Sequence, residues 1–237
     1  MSSNATETAT LAVALTSDSL KKQLQAVYEL SELEATGDRI LIDFLKTELV
    51  EQQKAPTAVH GSTYQQIYAS SLDLAQSVIQ QYWPNGLLTP RSDLNIDYDE
   101  IQTLLIKRDY QGADKLTMQK LCELAGERAI ARKWVYFTEV SQFPITDLQT
   151  IDRLWRVYSD DRFGWSKQRE LWLRLGKDWD RLWTQLAWKS SAGAWTRYPT
   201  EFIWDLSAPV GHLPLSNQLR GVRMMDSLLS HPAWESV

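Results

Sequence analysis

Hydrophobic positions recur every three or four residues through the first third of the chain, which is the spacing of one helix face. Within 19–34 this apolar series consists of Leu20, Leu24, Val27, Leu30 and Leu33. Gly37 is expected to end this helix and Asp38 to cap the next one, which closes before Pro56. A third helix is expected over 62–82. The pattern predicts a small helical bundle or a pair of helical repeats.

The same spacing continues through most of the remaining sequence. It predicts helices over 98–107, 113–125, 147–158, 165–175, 178–186 and 215–229. Asp97 and Thr146 stand where the first and third of these would be capped, and Gly126 follows the second. No segment alternates convincingly between apolar and polar residues, so no strand is predicted. The predicted fold class is therefore all-α.

A segment rich in proline and glycine, YWPNGLLTPRSD (82–93), separates the two helical regions. Such clusters between periodic segments are loops and frequent domain boundaries. The expected organisation is an N-terminal helical domain over 1–83, a linker over 84–96 and a helical core over 97–237. Composition changes at the same place: residues 1–83 hold 5 basic and 10 acidic residues, whereas 84–237 hold 20 of each. Ten of the eleven tryptophans lie at or after Trp134.

The helical pattern stops between residues 188 and 214, a stretch with three prolines, two glycines and five aromatic residues. A connection of this length is unusual and is commonly functional. The side chains that could line a groove for a large flat apolar ligand are Trp195, Arg197, Tyr198, Phe202 and Trp204. The same aromatic residues could instead hold a long loop against its own core, and the sequence leaves both interpretations open.

Two arginines, Arg220 and Arg223, lie beside the apolar stripe of the last predicted helix. That stripe consists of Leu215, Leu219, Val222, Met225 and Leu229. Two guanidinium groups next to an apolar surface suit a ligand with an apolar body and carboxylates at one edge. Gly221 is costly in a helix interior, which indicates that backbone or ligand approaches closely there. The alternative is a solvated face on which Arg223 pairs with Asp226.

The composition narrows the classes of function. The net charge of −5 disfavours a nucleic-acid partner, because proteins that follow a phosphate backbone are normally basic. Three scattered histidines predict no metal site, and His212 is expected to be a hydrogen-bonded structural residue rather than a ligand. Cys122 is expected in the core, together with Trp172, Trp179 and Trp183. No phosphate loop, hydrolase nucleophile motif or metalloprotease helix is present, so no catalytic residue is predicted.

The second half of the chain carries several longer phrases. They are KLCELAG (120–126), YFTEV (136–140), FPITDLQTIDRLW (143–155), AWTRYP (194–199), WDLSAPVGHLP (204–214) and NQLRGVRMMDSL (217–228). In these phrases the chain resembles the genomes-uncoupled porphyrin-binding proteins of cyanobacteria and chloroplasts. The resemblance implies an all-helical core with a cupped groove that the long aromatic loop partly closes. A small helical bundle precedes the core in cyanobacterial members, which agrees with residues 1–83.

The resemblance also implies a function. Members of this family bind protoporphyrin IX and Mg-protoporphyrin IX as ligands, hold no prosthetic group, are not enzymes, and stimulate magnesium chelatase with its large porphyrin-binding subunit in chlorophyll biosynthesis. The porphyrin-binding positions implied here are Phe137, Trp195, Arg197, Tyr198, Phe202, Trp204, Arg220, Gly221, Arg223 and Met224. The family often has tryptophan where this chain has Tyr198, so the stacking area is smaller.

The remaining expectations concern assembly and location. No apolar run approaches the ~20 residues of a membrane helix, and the N-terminal segment lacks the basic residues of a targeting peptide. We therefore expect a monomer in the cytoplasm of a cyanobacterial-type cell, with peripheral attachment to photosynthetic membranes left open. The alternative function is a helical interaction scaffold whose Trp-rich groove binds a peptide or partner helix and no small ligand. An enzyme is the third choice.

Overall fold

The computed structural model of the protein describes residues 2–190, 192–215 and 222–235. The chain forms two compact units, one made of Met1–Thr89 with Val157–Asp160, the other of Pro90–Arg156 with Asp161–Val237. Every regular element of two or more residues in the described ranges is helical, and the nearest approach to a sheet there is one bridge between Lys189 and Trp195. The prediction of an all-α fold is confirmed.

The first unit contains five α-helices. They are α1 (Ser2–Ala14), α2 (Leu20–Ser31), α3 (Glu34–Leu45), α4 (Ala58–Ala69) and α5 (Asp73–Tyr82), and a π-helical turn over Lys46–Glu51 continues α3. Helix α2 packs against both α3 and α4, and its side chains Val27 and Leu30 are fully buried between them. Helix α1 was not expected from the sequence.

Gly37 does not end a helix, and Asp38 does not cap one, so both predictions were wrong. Helix α2 ends at Ser31, and Gly37 lies inside α3. A Cβ atom at Gly37 would lie 1.7 Å from the carbonyl oxygen of Leu30. Glycine is therefore required because α3 crosses the end of α2 at backbone contact, a tertiary demand that resembles a helix stop in the sequence.

The single helix expected over 62–82 is two helices, α4 and α5, separated at Ser70. The Ser70 backbone is extended, with ψ of 143°. Its hydroxyl donates to the Asp38 carboxylate at 2.5 Å and accepts from the Leu72 N–H at 3.0 Å. These contacts satisfy polar groups at the break, so the apolar spacing continues through a chain that has turned.

Four residues that the sequence analysis placed in the second domain, 157–160, belong to the first unit. The Tyr158 hydroxyl accepts from the Leu87 N–H at 2.8 Å, and the Asp160 carboxylate accepts from Tyr28 and Ser62, both at 2.7 Å. Gly61 passes so close that a Cβ atom there would lie 1.9 Å from the Val157 carbonyl oxygen. The first unit therefore contains chain from both sides of the expected linker.

The second unit contains the remaining helices. They are α6 (Asp99–Ile106), α7 (Tyr110–Ala125), α8 (Glu127–Arg132), α9 (Phe137–Val140), α10 (Ile145–Val157), α11 (Trp165–Arg174), α12 (Trp179–Gln185) and α13 (Val222–Leu229), followed by a 3₁₀ turn over Pro232–Trp234. The short helices α8 and α9 were not expected. Thr146 lies inside α10 rather than capping it, and Asp97 instead accepts from the Asp99 N–H at 2.8 Å. Of the last predicted helix, residues 216–221 lie outside the described ranges.

Aromatic side chains dominate the core of the second unit. Trp155, Trp165, Trp188, Tyr110 and Phe163 are among its fully buried side chains. The Trp155 indole N–H donates to the Thr117 hydroxyl at 3.1 Å, so the ring is buried without leaving its polar atom unpaired. Cys122 is also buried, which confirms its prediction as a core residue.

Candidate functional site

The long segment between α12 and α13 is fixed at its C-terminal root. The Gly211 N–H donates to the Arg162 carbonyl at 2.7 Å, and the Leu213 carbonyl accepts from the Gly164 N–H at 2.9 Å. The buried Gln168 amide donates to the Gly211 and Pro214 carbonyls at 2.9 and 2.8 Å. These bonds pair backbone groups of the root that have no helix or sheet partners.

His212 holds three parts of this segment together. Its Nε2 accepts from the Ile203 N–H at 3.2 Å, so the proton lies on Nδ1, which donates to the Leu186 carbonyl at 2.6 Å. Its own carbonyl accepts from the Trp188 indole at 2.8 Å. Burial lowers the pKa of His212, which keeps the ring neutral. Both ring nitrogens are engaged, so the prediction of a structural histidine is confirmed.

The outer part of the loop presents an aromatic cluster of Tyr198, Phe202 and Trp204. Ring centroids are 6.2 Å apart for Tyr198 and Phe202, and 6.0 Å apart for Tyr198 and Trp204. Phe202 is 6% exposed and packs on His212, whereas Tyr198 is 50% exposed. The Trp204 indole donates to the Pro199 carbonyl at 2.9 Å. The exposed Tyr198 ring therefore packs against Phe202 and Trp204, which are held in place by contacts with His212 and Pro199.

Trp195 lies on a second aromatic group, formed by tryptophans of α11 and α12. Its ring centroid is 5.9 Å from that of Trp183, and the side chain is 43% exposed. Trp172 and Trp183 are buried, as expected of core residues, whereas Trp179 is half-buried. The loop therefore packs some of its aromatic rings against its own core and leaves others exposed, and the ligand groove stays a prediction.

Arg223 and Phe137 form a third group, where α13 packs against α9. The Arg223 guanidinium carbon lies 5.5 Å from the Phe137 ring centroid. Met224 is buried, whereas Val222 of the predicted apolar stripe is 38% exposed. Arg220 and Gly221, also predicted for the site, lie outside the described ranges.

A cation between two aromatic rings lies directly before Phe137, and the sequence analysis missed it. The Arg132 guanidinium carbon is 4.9 Å from the Trp134 ring and 4.3 Å from the Tyr136 ring. Arg132 also pairs with Glu139, which accepts from the Tyr136 N–H at 2.8 Å. The available signal was an arginine followed within four residues by a tryptophan and a tyrosine.

A buried carboxyl group, Asp114 of α7, was also missed. Its Oδ1 accepts from the Leu215 N–H at 2.6 Å, at the end of the described loop. Burial raises the pKa of Asp114 to about 7, although the Leu215 hydrogen bond opposes this rise. Burial, together with the Asp114 carboxylate, raises the pKa of Tyr198. The sequence did contain a signal for a buried carboxyl group. Asp114 lies three residues before Thr117 and seven before Leu121, so it falls on the same face of α7 as these buried side chains.

The described contacts join the predicted site residues in three groups rather than one. These are Tyr198 with Phe202 and Trp204, Trp195 with Trp183, and Phe137 with Arg223. Arg197 stands apart: its side chain is 83% exposed and its backbone N–H donates to Glu201 at 2.9 Å. Within the described ranges no three His, Cys, Asp or Glu side chains could hold a metal ion. Exposed aromatic faces at Tyr198 and Trp195, and the Arg223 guanidinium beside Phe137, are groups that could contact a planar, anionic ligand.

Two family models together match most of the sequence. Residues 91–232 match the GUN4-like family, and residues 1–84 match the ARM-like repeat domain of the GUN4 N terminus. The chain belongs to the GUN4-like family. It is 44% identical over 234 residues to a Ycf53-like protein of Synechocystis, covering 99% of this chain and 98% of that protein.

Relatives from Arabidopsis and Chlamydomonas match about three fifths of the chain. The chloroplast protein of Arabidopsis thaliana named tetrapyrrole-binding protein is 38% identical over 145 residues, which cover 58% of this chain and 55% of that protein. GUN4 from Chlamydomonas reinhardtii superposes with a TM-score of 0.59 at 37% identity, over 62% of this chain and 94% of that chain. Ligand-free Arabidopsis GUN4 gives 0.54 at 39% identity, over 59% and 98%. In the described part of this GUN4-like chain, no helix has the length and apolarity needed to cross a membrane.

Proposed function

We propose that the protein binds tetrapyrroles without converting them, and that protoporphyrin IX and Mg-protoporphyrin IX are its ligands. The observation that carries the proposal is the half-exposed ring of Tyr198, held by Phe202 and Trp204 on a loop with a fixed root. Membership in the GUN4-like family and the name of the Arabidopsis relative support the same ligand class.

The energetics favour a flat ligand with charge at one edge. Covering roughly 300 Å² of apolar porphyrin surface contributes about 8 kcal/mol gross at ~25 cal/mol/Å². Association offsets several kcal/mol of this. Charge-assisted hydrogen bonds from Arg220 and Arg223 to the propionates would add about 1.5–3 kcal/mol each in a site without water. The apolar term provides most of the affinity, and the arginines set the orientation.

Free-base and metallated porphyrins should both bind. His212 uses both ring nitrogens within the loop, so neither is available for a metal at the porphyrin centre. The ligand is therefore recognised by its face and its carboxylates. A metal–imidazole absorption band on Mg-porphyrin binding, lost in His212→Ala, would contradict this.

Titration with deuteroporphyrin IX, followed by tryptophan fluorescence, tests the binding proposal. We expect saturable quenching near one porphyrin per chain. The double variant Arg220→Ala, Arg223→Ala should bind roughly 10²- to 10⁴-fold more weakly, because the two arginine contributions above add to about 3–6 kcal/mol. Arg174→Ala removes an exposed arginine of α11 and is the matched control, expected to bind normally. Absence of quenching by a protein that is folded by circular dichroism would instead favour the peptide-binding scaffold.

We further propose that the bound porphyrin is used in chlorophyll biosynthesis. In this proposal a monomer in the cytoplasm, able to attach peripherally to photosynthetic membranes, stimulates magnesium chelatase through its large porphyrin-binding subunit. Chelatase assays with the purified subunits should show faster magnesium insertion when the wild-type protein is added. The double arginine variant should stimulate less, and unchanged stimulation would separate activation from porphyrin binding.

A further inference from the structure

Five tryptophan rings of the second unit form one continuous series that the proposed function does not use. Successive ring centroids lie 4.9 Å apart from Trp172 to Trp179 and 5.2 Å apart from Trp179 to Trp183. From Trp183 the series branches to Trp188 at 5.4 Å and to Trp195 at 5.9 Å. It therefore runs from an exposed ring in the ligand-facing loop to buried rings beneath it.

The charges around this series differ between its ends and its middle. The Lys189 ammonium lies 5.7 Å from the Trp195 ring centroid, and the Lys177 ammonium lies 5.1 Å from that of Trp172. A neighbouring positive charge makes an indole harder to oxidise, because the resulting radical cation is repelled. The Asp180 carboxylate pairs with Lys189 at 2.8 Å and weakens that repulsion without removing it. Electron deficiency is therefore least favourable at Trp172 and Trp195, the two rings next to lysine ammonium groups.

Three of the rings, Trp179, Trp183 and Trp188, form a central stack that is well arranged to share a positive charge. Trp179 and Trp183 are inclined by 25°, and Trp183 and Trp188 by 13°, so these neighbouring rings are nearly parallel and offset-stacked. Trp183 is 4% exposed and Trp188 is fully buried. A radical cation on this stack would be delocalised and shielded from solvent oxidants.

We propose that the series is an electron relay that draws oxidising equivalents away from a photoexcited tetrapyrrole bound beside Trp195; this rests on the proposed function. The excited ligand is the oxidant. It takes one electron from Trp195, which leaves a ligand radical anion and a Trp195 radical cation. Trp183 then gives one electron to Trp195, and the positive charge passes into the central stack. Return of the electron from the ligand anion to the stack restores both closed shells, with no net reaction.

Flash excitation of bound deuteroporphyrin IX, followed by transient absorption, tests the relay. We expect a tryptophan radical cation and a porphyrin radical anion that decay together and slowly in the wild type. In Trp183→Phe the charge cannot leave Trp195, so recombination should be markedly faster. If Trp183→Phe does not fold, Trp179→Phe at a half-buried position removes one ring of the stack that receives the charge, and it should speed recombination by a smaller factor. Trp165→Phe removes a buried tryptophan outside the series and should leave the decay unchanged.

A second arm makes the result independent of porphyrin binding. Flash-oxidised ruthenium tris(bipyridine) in solution oxidises exposed Trp195 directly, and we expect the same dependence of radical lifetime on Trp183. Failure of porphyrin binding with this dependence intact would refute the proposed function and leave the relay supported. Normal porphyrin binding, measured by fluorescence anisotropy, with decay unaffected by Trp183→Phe and Trp179→Phe would overturn the relay alone.

Discussion

Replacing Asp114 by asparagine should stabilise the protein in a way that depends on pH. Asparagine keeps an oxygen to accept the Leu215 N–H and resembles the protonated acid in shape. In the folded chain burial raises the pKa of Asp114 to about 7, above the 3.8 of an exposed aspartate. Between these values the folded chain holds a proton that the unfolded chain has released. Stability contributed by this site is therefore lost as pH rises from about 4 through about 7.

The size of the effect follows from the difference between the two pKa values. The rise from 3.8 to about 7 corresponds to about 4 kcal/mol at about 1.4 kcal/mol per pKa unit. The wild type should lose this amount between about pH 4 and about pH 8, whereas Asp114→Asn should not. Burial lowers the pKa of His60, His212 and His231, which acts in the opposite direction. The difference between the two proteins isolates Asp114.

Urea denaturation across this pH range measures the difference directly. Tryptophan fluorescence reports on the second unit, because only Trp83 lies outside it. A difference between the proteins that stays constant with pH would refute the reasoning. It would mean that the carboxyl group is ionised throughout and that the 2.6 Å bond from Leu215 outweighs burial. Asp178→Asn, at the exposed cap of α12, is the matched control for the same chemical change at the surface.

Three further changes test the fold. Gly37→Ala should lower the free energy of unfolding by about 1–3 kcal/mol, because a Cβ would lie 1.7 Å from the Leu30 carbonyl oxygen. Urea unfolding followed by circular dichroism measures this, and unchanged stability would mean that α3 can shift away from α2. His212→Ala should lower the free energy of unfolding by about 2–4 kcal/mol, because it removes two hydrogen bonds and leaves a cavity. A melting temperature equal to that of the wild type would contradict this. Deleting 1–83 should lower the free energy of unfolding, because Tyr158 loses its contacts with Gln65 and Tyr64. Porphyrin titration should nevertheless show that binding is retained, and loss of binding by a folded fragment would refute separate domains.

The sequence predicted the helical class because apolar spacing records which face of each helix is buried. It also predicted the aromatic loop, since no disordered segment carries five aromatic side chains in so few residues. The structural role of His212 followed from its isolation from other metal ligands. These features depend on local composition and spacing, which a single sequence contains.

The errors concern tertiary contacts between distant parts of the chain. Gly37 was interpreted as a helix stop because the sequence does not show that Leu30 passes within contact distance of it. The break at Ser70 depends on Asp38, thirty-two residues earlier. Likewise, Asp114 acquires its raised pKa from burial beneath the loop at Leu215, one hundred and one residues away. Helical periodicity carries no information about such pairs.

The aromatic loop divides its residues between two tasks, with a consequence for how the protein can evolve. At the root, a Cβ on Gly211 would lie 2.8 Å from Leu186 and 2.9 Å from Leu171, and its φ of +80° favours glycine. At the tip, Tyr198 and Trp195 are half-exposed and contribute little to the core. If the proposed site is correct, substitutions at the tip would alter ligand preference at small cost to folding, whereas the root tolerates few changes. Selection could retune what this protein recognises while its scaffold stays unchanged.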